Sequence, residues 1–561
     1  MSVLNKSARK DSQSVQPEIM SPRLTMEDHR IDDPNSRLKE MGYDQELRRS
    51  LGMVSVLGLS FAIMAVPFGL STTLNIALTN GGPVTIIWGW IFVSLISVAI
   101  AASLGEICSV FPTSGGVYYW AAMLSTPKYS AFASYVNGWL GLVGNWTVTA
   151  SITFGGSQLV LAAITLWNED YVPTAWQTVL TYWAALCISV AVNILFNRHL
   201  EKLNTLCLYW TGASVIIVCV ALANAKFAFT HFDNSASGWP KAWSFFVGVL
   251  QSAYTLTGYG MVAALCEEVR DPAREVPKAM VLSVVAAAIT GVIYLVNTWF
   301  ADRPWNALKD FASRYLKIPL NFTLPDIEPL LNVASLQPIP LFFKIVTGSP
   351  GAAFGLVFLI YGIWVFAFIG SMTAASRATW AFARDGGIPA SFLWKKVNAR
   401  TQVPINAVLL SAVVNALLGL IYLGSSAAFN AFTGVATICL GASYGFPILC
   451  SVIRKRALVK DAPFSLGKFG MLINILSIIW ITFSIVLFCM PTTKEVTASS
   501  MNYASAVFAA FFAIAVLWYA VNARRHYKGP LISAVRERGD GPAISESGYL
   551  SEPKELVKTV S

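Results

Sequence analysis

The feature that most constrains this 561-residue sequence is a recurring run of apolar residues, each near 20 residues long, separated by short polar connections. Wound as a helix at about 1.5 Å per residue, such a run matches the ~30 Å hydrocarbon core of a bilayer. Twelve runs are read, at 53–79, 83–107, 131–165, 176–197, 203–225, 242–266, 279–301, 350–383, 404–424, 428–453, 467–490 and 501–523. Charge avoids them. Residues 1–50 hold 18 of the 70 Asp, Glu, Lys and Arg residues and 524–561 another 12, which leaves 40 for the 473 between. A helix satisfies its backbone polar groups within one segment, as lipid requires. The expectation is an all-α integral membrane protein of about twelve transmembrane helices, embedded in a lipid bilayer. A soluble multidomain enzyme and a single-span receptor are excluded.

The organisation expected is a cytosolic tail over 1–50, a helical domain over 51–523 and a second cytosolic tail over 524–561. Both tails mix charge with Ser, Pro and Gly and read as disordered. An even number of crossings puts them on one side. Assigning that side to the cytoplasm gives 16 Lys and Arg at the inner connections against 8 at the outer ones, which the positive-inside rule favours. Only one outer connection is long, 302–349. It contains Asn321-Phe322-Thr323, which makes Asn321 the candidate glycosylation site. The net charge of +10 is not gathered into a basic patch with interleaved aromatics, so no nucleic-acid partner is implied. The eight cysteines have no CxxC pair, and the four histidines fall in tails or short loops. No metal site and no cofactor are expected.

The run lengths contain an internal repeat. The third and eighth runs are the longest and lie five positions apart, and the first and sixth, also five apart, are the most interrupted by Gly, Pro, Ser and Thr. An odd-numbered helical unit used twice comes out inverted, a common plan in secondary transporters. The first run carries Phe61, Ile63, Met64 and Ala65 ahead of Pro67, and is expected to break near Ile63–Pro67. The sixth carries Tyr254, Thr255, Thr257, Gly258, Tyr259 and Gly260, where two glycines weaken the helix beside hydroxyls and rings. Broken helices leave N–H and C=O groups free at mid-membrane, tolerable only where they line a cavity. Half-helix N-termini attract a carboxylate and C-termini a cation. Taken singly, each run could be a kinked packing helix. Their matched positions favour a binding site made of these nine residues, Phe61 through Tyr259, with Phe61, Tyr254 and Tyr259 offering faces to an ammonium group.

No charge falls near the middle of a run. Those nearest the run ends, Glu106, Glu267, Glu268, Arg377 and Arg384, all lie on the inner side. Intramembrane charge usually marks an ion pathway. Here the expectation is a cytoplasmic gate formed by pairing, with Glu106, Glu267 and Arg377 as its candidates; interfacial anchoring is the alternative.

Four segments carry a family resemblance. Gly81-Gly82-Pro83 onward, through Ser103-Leu104-Gly105-Glu106 to Phe111-Pro112-Thr113-Ser114-Gly115-Gly116-Val117-Tyr118-Tyr119-Trp120, resembles the second-helix signature of amino acid–polyamine–organocation permeases. Glu267-Glu268-Val269-Arg270-Asp271-Pro272, with Val276-Pro277-Lys278-Ala279, is similar to the segment after their sixth helix. Ser376-Arg377 through Ala383-Arg384-Asp385-Gly386-Gly387-Ile388-Pro389 resembles the end of their eighth. Pro463-Phe464, Leu466-Gly467-Lys468-Phe469 and Met501-Asn502-Tyr503 resemble late motifs of the fungal amino acid/choline branch, which includes GABA and choline permeases. The resemblance spans about residues 42–530. It implies a leucine-transporter-like fold, twelve helices in a five-plus-five inverted repeat, and transport of amino acids, GABA, choline or related amines, often with protons. One departure stands out: choline and GABA members carry an acid where this chain has Gly260, and a histidine where it has Ala264.

The leading expectation is therefore a secondary active permease for a small amine-bearing solute, working by alternating access with protons as coupling partner. The plasma membrane is its expected location, with the vacuolar membrane the alternative. A choline or quaternary-amine permease and a non-transporting nutrient sensor remain as alternatives. A membrane enzyme is not supported: the spans hold no HExxH, GxSxG or acid–His cluster.

Overall fold

The computed structural model describes residues 34–221, 232–295, 330–331, 333, 337–424, 428–460, 462–497 and 501–530. Tail residues 1–33 and 531–561, Asn321 and most of the 302–349 connection lie outside the described residues. Among the described residues there are helices and turns but no strand, apart from a single bridge between Leu51 and Val269. Among the described residues, ten helices are long and apolar enough to cross a membrane. A helix at Leu200–Ala221 and the interrupted segment Lys241–Glu268 occupy the fifth and sixth positions. Among the described residues each expected run is thus largely helical, and the chain is a multi-pass integral membrane protein.

The third and eighth spans are the longest, Pro127–Leu166 and Pro350–Arg384. They form the axis of the bundle. Where spans cross, a glycine repeatedly vacates room for a tryptophan whose indole N–H then takes a carbonyl of the same helix. Trp364 lies over Gly156 and donates to Ile152 O at 3.0 Å; Trp90 lies over Gly291 and donates to Ala288 O at 3.0 Å. Without a hydrophobic drive between helices in lipid, close approach and interhelical hydrogen bonds supply the cohesion. The outward faces keep large apolar side chains exposed, among them Leu95, Leu195, Ile216 and Leu517. Such a belt is what a lipid-facing surface requires.

Three segments differ from the expected organisation. Residues 34–50, expected as part of a disordered tail, instead include the helix Pro34–Glu40 and bury Leu38, Met41, Tyr43 and Leu47 against the charged end of the bundle. At the other terminus, Tyr527 is buried and shares a 2.8 Å hydrogen bond with the Ser134 hydroxyl. Within the expected outer loop, Ile339–Thr347 is helical, and its Lys344 pairs with Glu169 at 2.7 Å.

Candidate functional site

The first span breaks as its sequence implies. A helix over Met53–Met64 ends at Ala65, which adopts the left-handed conformation with φ 44°, and a second half-helix runs over Val66–Thr72. Pro67 falls in the first turn of that second half, where its missing N–H has no intrahelical acceptor to lose. The sixth span breaks after Thr255. Gly258 takes φ 103°, and a 3-10 helix over Tyr259–Glu268 follows.

The two breaks meet. A Cβ placed on Gly258 would stand 2.7 Å from Ile63 Cγ2, and one on Gly69 would stand 2.8 Å from the Thr255 side chain. Gln251 Nε2 ties them further, donating to Leu70 O at 2.8 Å. Phe61, Ile63, Met64, Ala65, Tyr254, Thr255, Gly258 and Tyr259 are all buried here, and Thr257 is half-buried. Thr255 and Thr257 donate their hydroxyl hydrogens to Gln251 O and Ala253 O, at 2.8 and 2.5 Å. Their hydroxyl oxygens then keep only lone pairs, an arrangement that suits a cation. Tyr254 donates to Ser151 on the third span at 2.8 Å. Tyr259 is engaged by the Tyr444 ring, with centroids 5.4 Å apart.

Below the sixth-span break lies a cavity of about 40 Å³, lined by Ser114, Asn145, Gly260, Phe382, Ser443 and Tyr444 among others. Asn145 Oδ1 is buried and makes no hydrogen bond, and the Tyr444 hydroxyl is buried beside the Gly260 backbone. Sequence reasoning missed Ser151, Asn145 and Tyr444. The signal available was a set of polar residues in otherwise apolar third and tenth spans, but facing direction needs the packing.

The gate candidates do not pair with one another. Each finds a different partner at the charged end. Glu267 receives both terminal nitrogens of Arg384, at 2.9 Å each, and the Ser114 amide at 3.2 Å. Arg377 donates from Nε to Glu268 at 2.8 Å and from its terminal nitrogens to Asn197 and Ser376. Glu106 accepts from Arg456 and from the Leu466 amide, at 2.5 and 2.8 Å. The first two pairs join the end of the sixth span to the eighth. The third lies aside, between the second span and the segment after the tenth.

Over these pairs the 34–51 segment is laid as a strap. The amides of Ser50 and Leu51 donate to Glu268 O, Gln45 to Glu267 O, Arg49 to Val269 O and Arg37 to Ser109 O. The Tyr43 hydroxyl donates to Asp385 at 2.8 Å. Strap and ion pairs together close the charged end.

Comparison with known proteins places this architecture. Residues 51–512 match the amino acid permease family. The chain belongs to that family. Relatives of the permease include a polyamine transporter of Saccharomyces cerevisiae, 36% identical over 84% of this chain and 75% of the relative. An amino-acid permease of Arabidopsis thaliana is 33% identical over 89% of this chain and 97% of the relative. A choline transporter of Saccharomyces cerevisiae is 30% identical over 86% and 83%. The motif segments of the permease converge on its closed end: Ser114 and Tyr118, Glu267 and Glu268, Arg377 to Asp385, and Leu466 are all partners in the contacts just described.

Proposed function

We propose that this permease carries a small amine-bearing solute by alternating access, held where the first and sixth spans break and coupled to protons. The observation that carries the reading is the meeting of the two breaks at Ile63 and Gly258. A half-helix N-terminus at Val66 supplies N–H groups for a carboxylate, and the half-helix ending at Thr255 supplies carbonyls and threonine lone pairs for an ammonium. The relatives are named for polyamines, amino acids and choline, which share an amine or ammonium group.

Position 260 bears on which amine. A Cβ there would lie 2.6 Å from the Tyr444 ring, so an acidic side chain has no room while Tyr444 holds its place. A fixed cation such as choline needs a counter-charge or an aromatic cage, and cation–π contact alone contributes about 0.5–2 kcal/mol. A zwitterion or a weakly charged amine is served by backbone groups. The ion pairs of Glu267 and Glu268 with Arg384 and Arg377 act in this reading as the inner gate.

Cells expressing the protein, offered a panel of labelled amino acids and amines with choline as competitor, test this. At equal concentration at least one zwitterion or weakly charged amine competes better than choline, and a proton uncoupler lowers uptake. Choline outcompeting every amino acid would remove the Gly260 argument.

A further inference from the structure

Where the strap meets the end of the eighth span lies a buried carboxylate in charge excess. Both terminal nitrogens of Arg384 are taken by Glu267, while the rings of Tyr43 and Trp380 cover its guanidinium at 3.9 and 4.6 Å. One guanidinium thus stands among two carboxylates, those of Glu267 and Asp385. Asp385 Oδ2 accepts from the Tyr43 hydroxyl at 2.8 Å and lies 2.9 Å from that of Tyr118, whose single hydrogen is shared with Ala381 O at 2.8 Å. Its Oδ1 is buried and makes no hydrogen bond. An unmatched buried charge is costly, and a proton on Oδ1 removes it.

We propose that Asp385 is a proton-binding site that governs docking of the 34–51 strap, taking up a proton as the charged end closes and releasing it as that end opens. The proposal rests on the transport reading in making this end the inner gate. The chemistry balances simply: a proton from water forms one O–H bond at Oδ1, Tyr43 keeps donating to Oδ2, Tyr118 keeps Ala381 O as an acceptor, and on opening the same proton returns to water. The titratable groups around Asp385 are Tyr43 from the strap, Tyr118 from the helix Gly116–Leu124, Glu267 from the sixth span, Arg384 beside it and Tyr527 from the C-terminal segment.

The direction of the effect follows from the environment. Burial pushes the Asp385 carboxyl up to about 6, against the opposing pull of Arg384 and the two tyrosine hydroxyls. Once the strap lifts and water enters, it returns toward the ordinary aspartate value of about 3.9. The docked state therefore binds more protons in the window between those two values. Acidification of this face favours docking, and rising pH favours release. Between pH 7.5 and 5, the ratio of docked to lifted strap rises about tenfold.

The test uses purified full-length protein in nanodiscs, with a cysteine in place of buried Leu47 or of exposed Arg48. Maleimide labelling is read by mass on the peptide that holds each, and the rate at 47 divided by that at 48 cancels the thiol's own titration. The expected ratio falls about tenfold from pH 7.5 to 5. Asp385→Asn makes it flat and low, while Tyr43→Phe moves the midpoint to higher pH by removing a donor to the carboxylate. An unchanged profile in Asp385→Asn, or labelling that rises on acidification, overturns the proposal. If Asp385→Asn does not accumulate, an unmoved midpoint in Tyr43→Phe does so. No solute is present, so this result stands or falls separately from the uptake result.

Discussion

At the scale of single residues, the site turns on Gly258. Its φ of 103° lies where side-chain-bearing residues are strained, by roughly 1–2 kcal/mol for an ordinary residue. Its α-hydrogen also faces Ile63 across the meeting of the breaks. A leucine there strains the backbone and presses on Ile63, and it fills the space in which the proposed site would hold its solute. Gly258→Leu is expected to reach the membrane in near-normal amount and to lose uptake, checked by surface labelling alongside uptake. Normal uptake would take the sixth span out of the site. The sequence located the first-span break to Ile63–Pro67 but not to a residue. Pro67 looks like the breaker; Ala65 bears the left-handed turn because Pro67 fits the first turn of the next half-helix. Thr255 and Thr257 were legible as polar groups, whereas the direction in which their hydroxyls donate depends on the helix carbonyls they reach.

At the scale of elements, the charged end behaves as a set of buried ion pairs under a strap. Removing one partner of a buried pair leaves the other charge uncompensated, typically at about 3–5 kcal/mol. Arg377 is fully buried and bonds Glu268, Asn197 and Ser376. Arg377→Ala is therefore expected to lose about 3–5 kcal/mol of stability, seen as a lowered midpoint of thermal unfolding in detergent. A midpoint within a degree of wild type would show that the pair contributes nothing net. The spans were legible because lipid imposes one length and one composition on each of them. The pairing was not, because Glu106, Glu267 and Arg377 differ only in which distant segment packs beside them. The strap was missed for a related reason: Leu38, Met41, Tyr43 and Leu47 are scattered among charges with no helical or strand period, and only the surface that receives them makes them a core.

At the scale of the whole molecule, the described segments before the first span and after the twelfth both approach the same end of the eighth span. Tyr43 of the strap bonds Asp385, and the Tyr527 ring lies 6.1 Å from that of Phe382. Twelve runs, an even number, put both tails on one side of the membrane; that they meet at the eighth span follows from these contacts. The inverted repeat was legible from the third and eighth runs in length and from the first and sixth in their interruptions, and those are the elements that build the axis and the site. A bundle closed at one end by ion pairs and a strap, with two broken helices buried at its centre, is a state of a machine that must open. Uptake by the purified protein in proteoliposomes tests that directly, since no other cellular component is present. With a pH gradient inward, at least one labelled amino acid or amine is expected to accumulate well above protein-free liposomes, and to collapse with the gradient. Inserted, folded protein that accumulates no member of the panel would contradict the account.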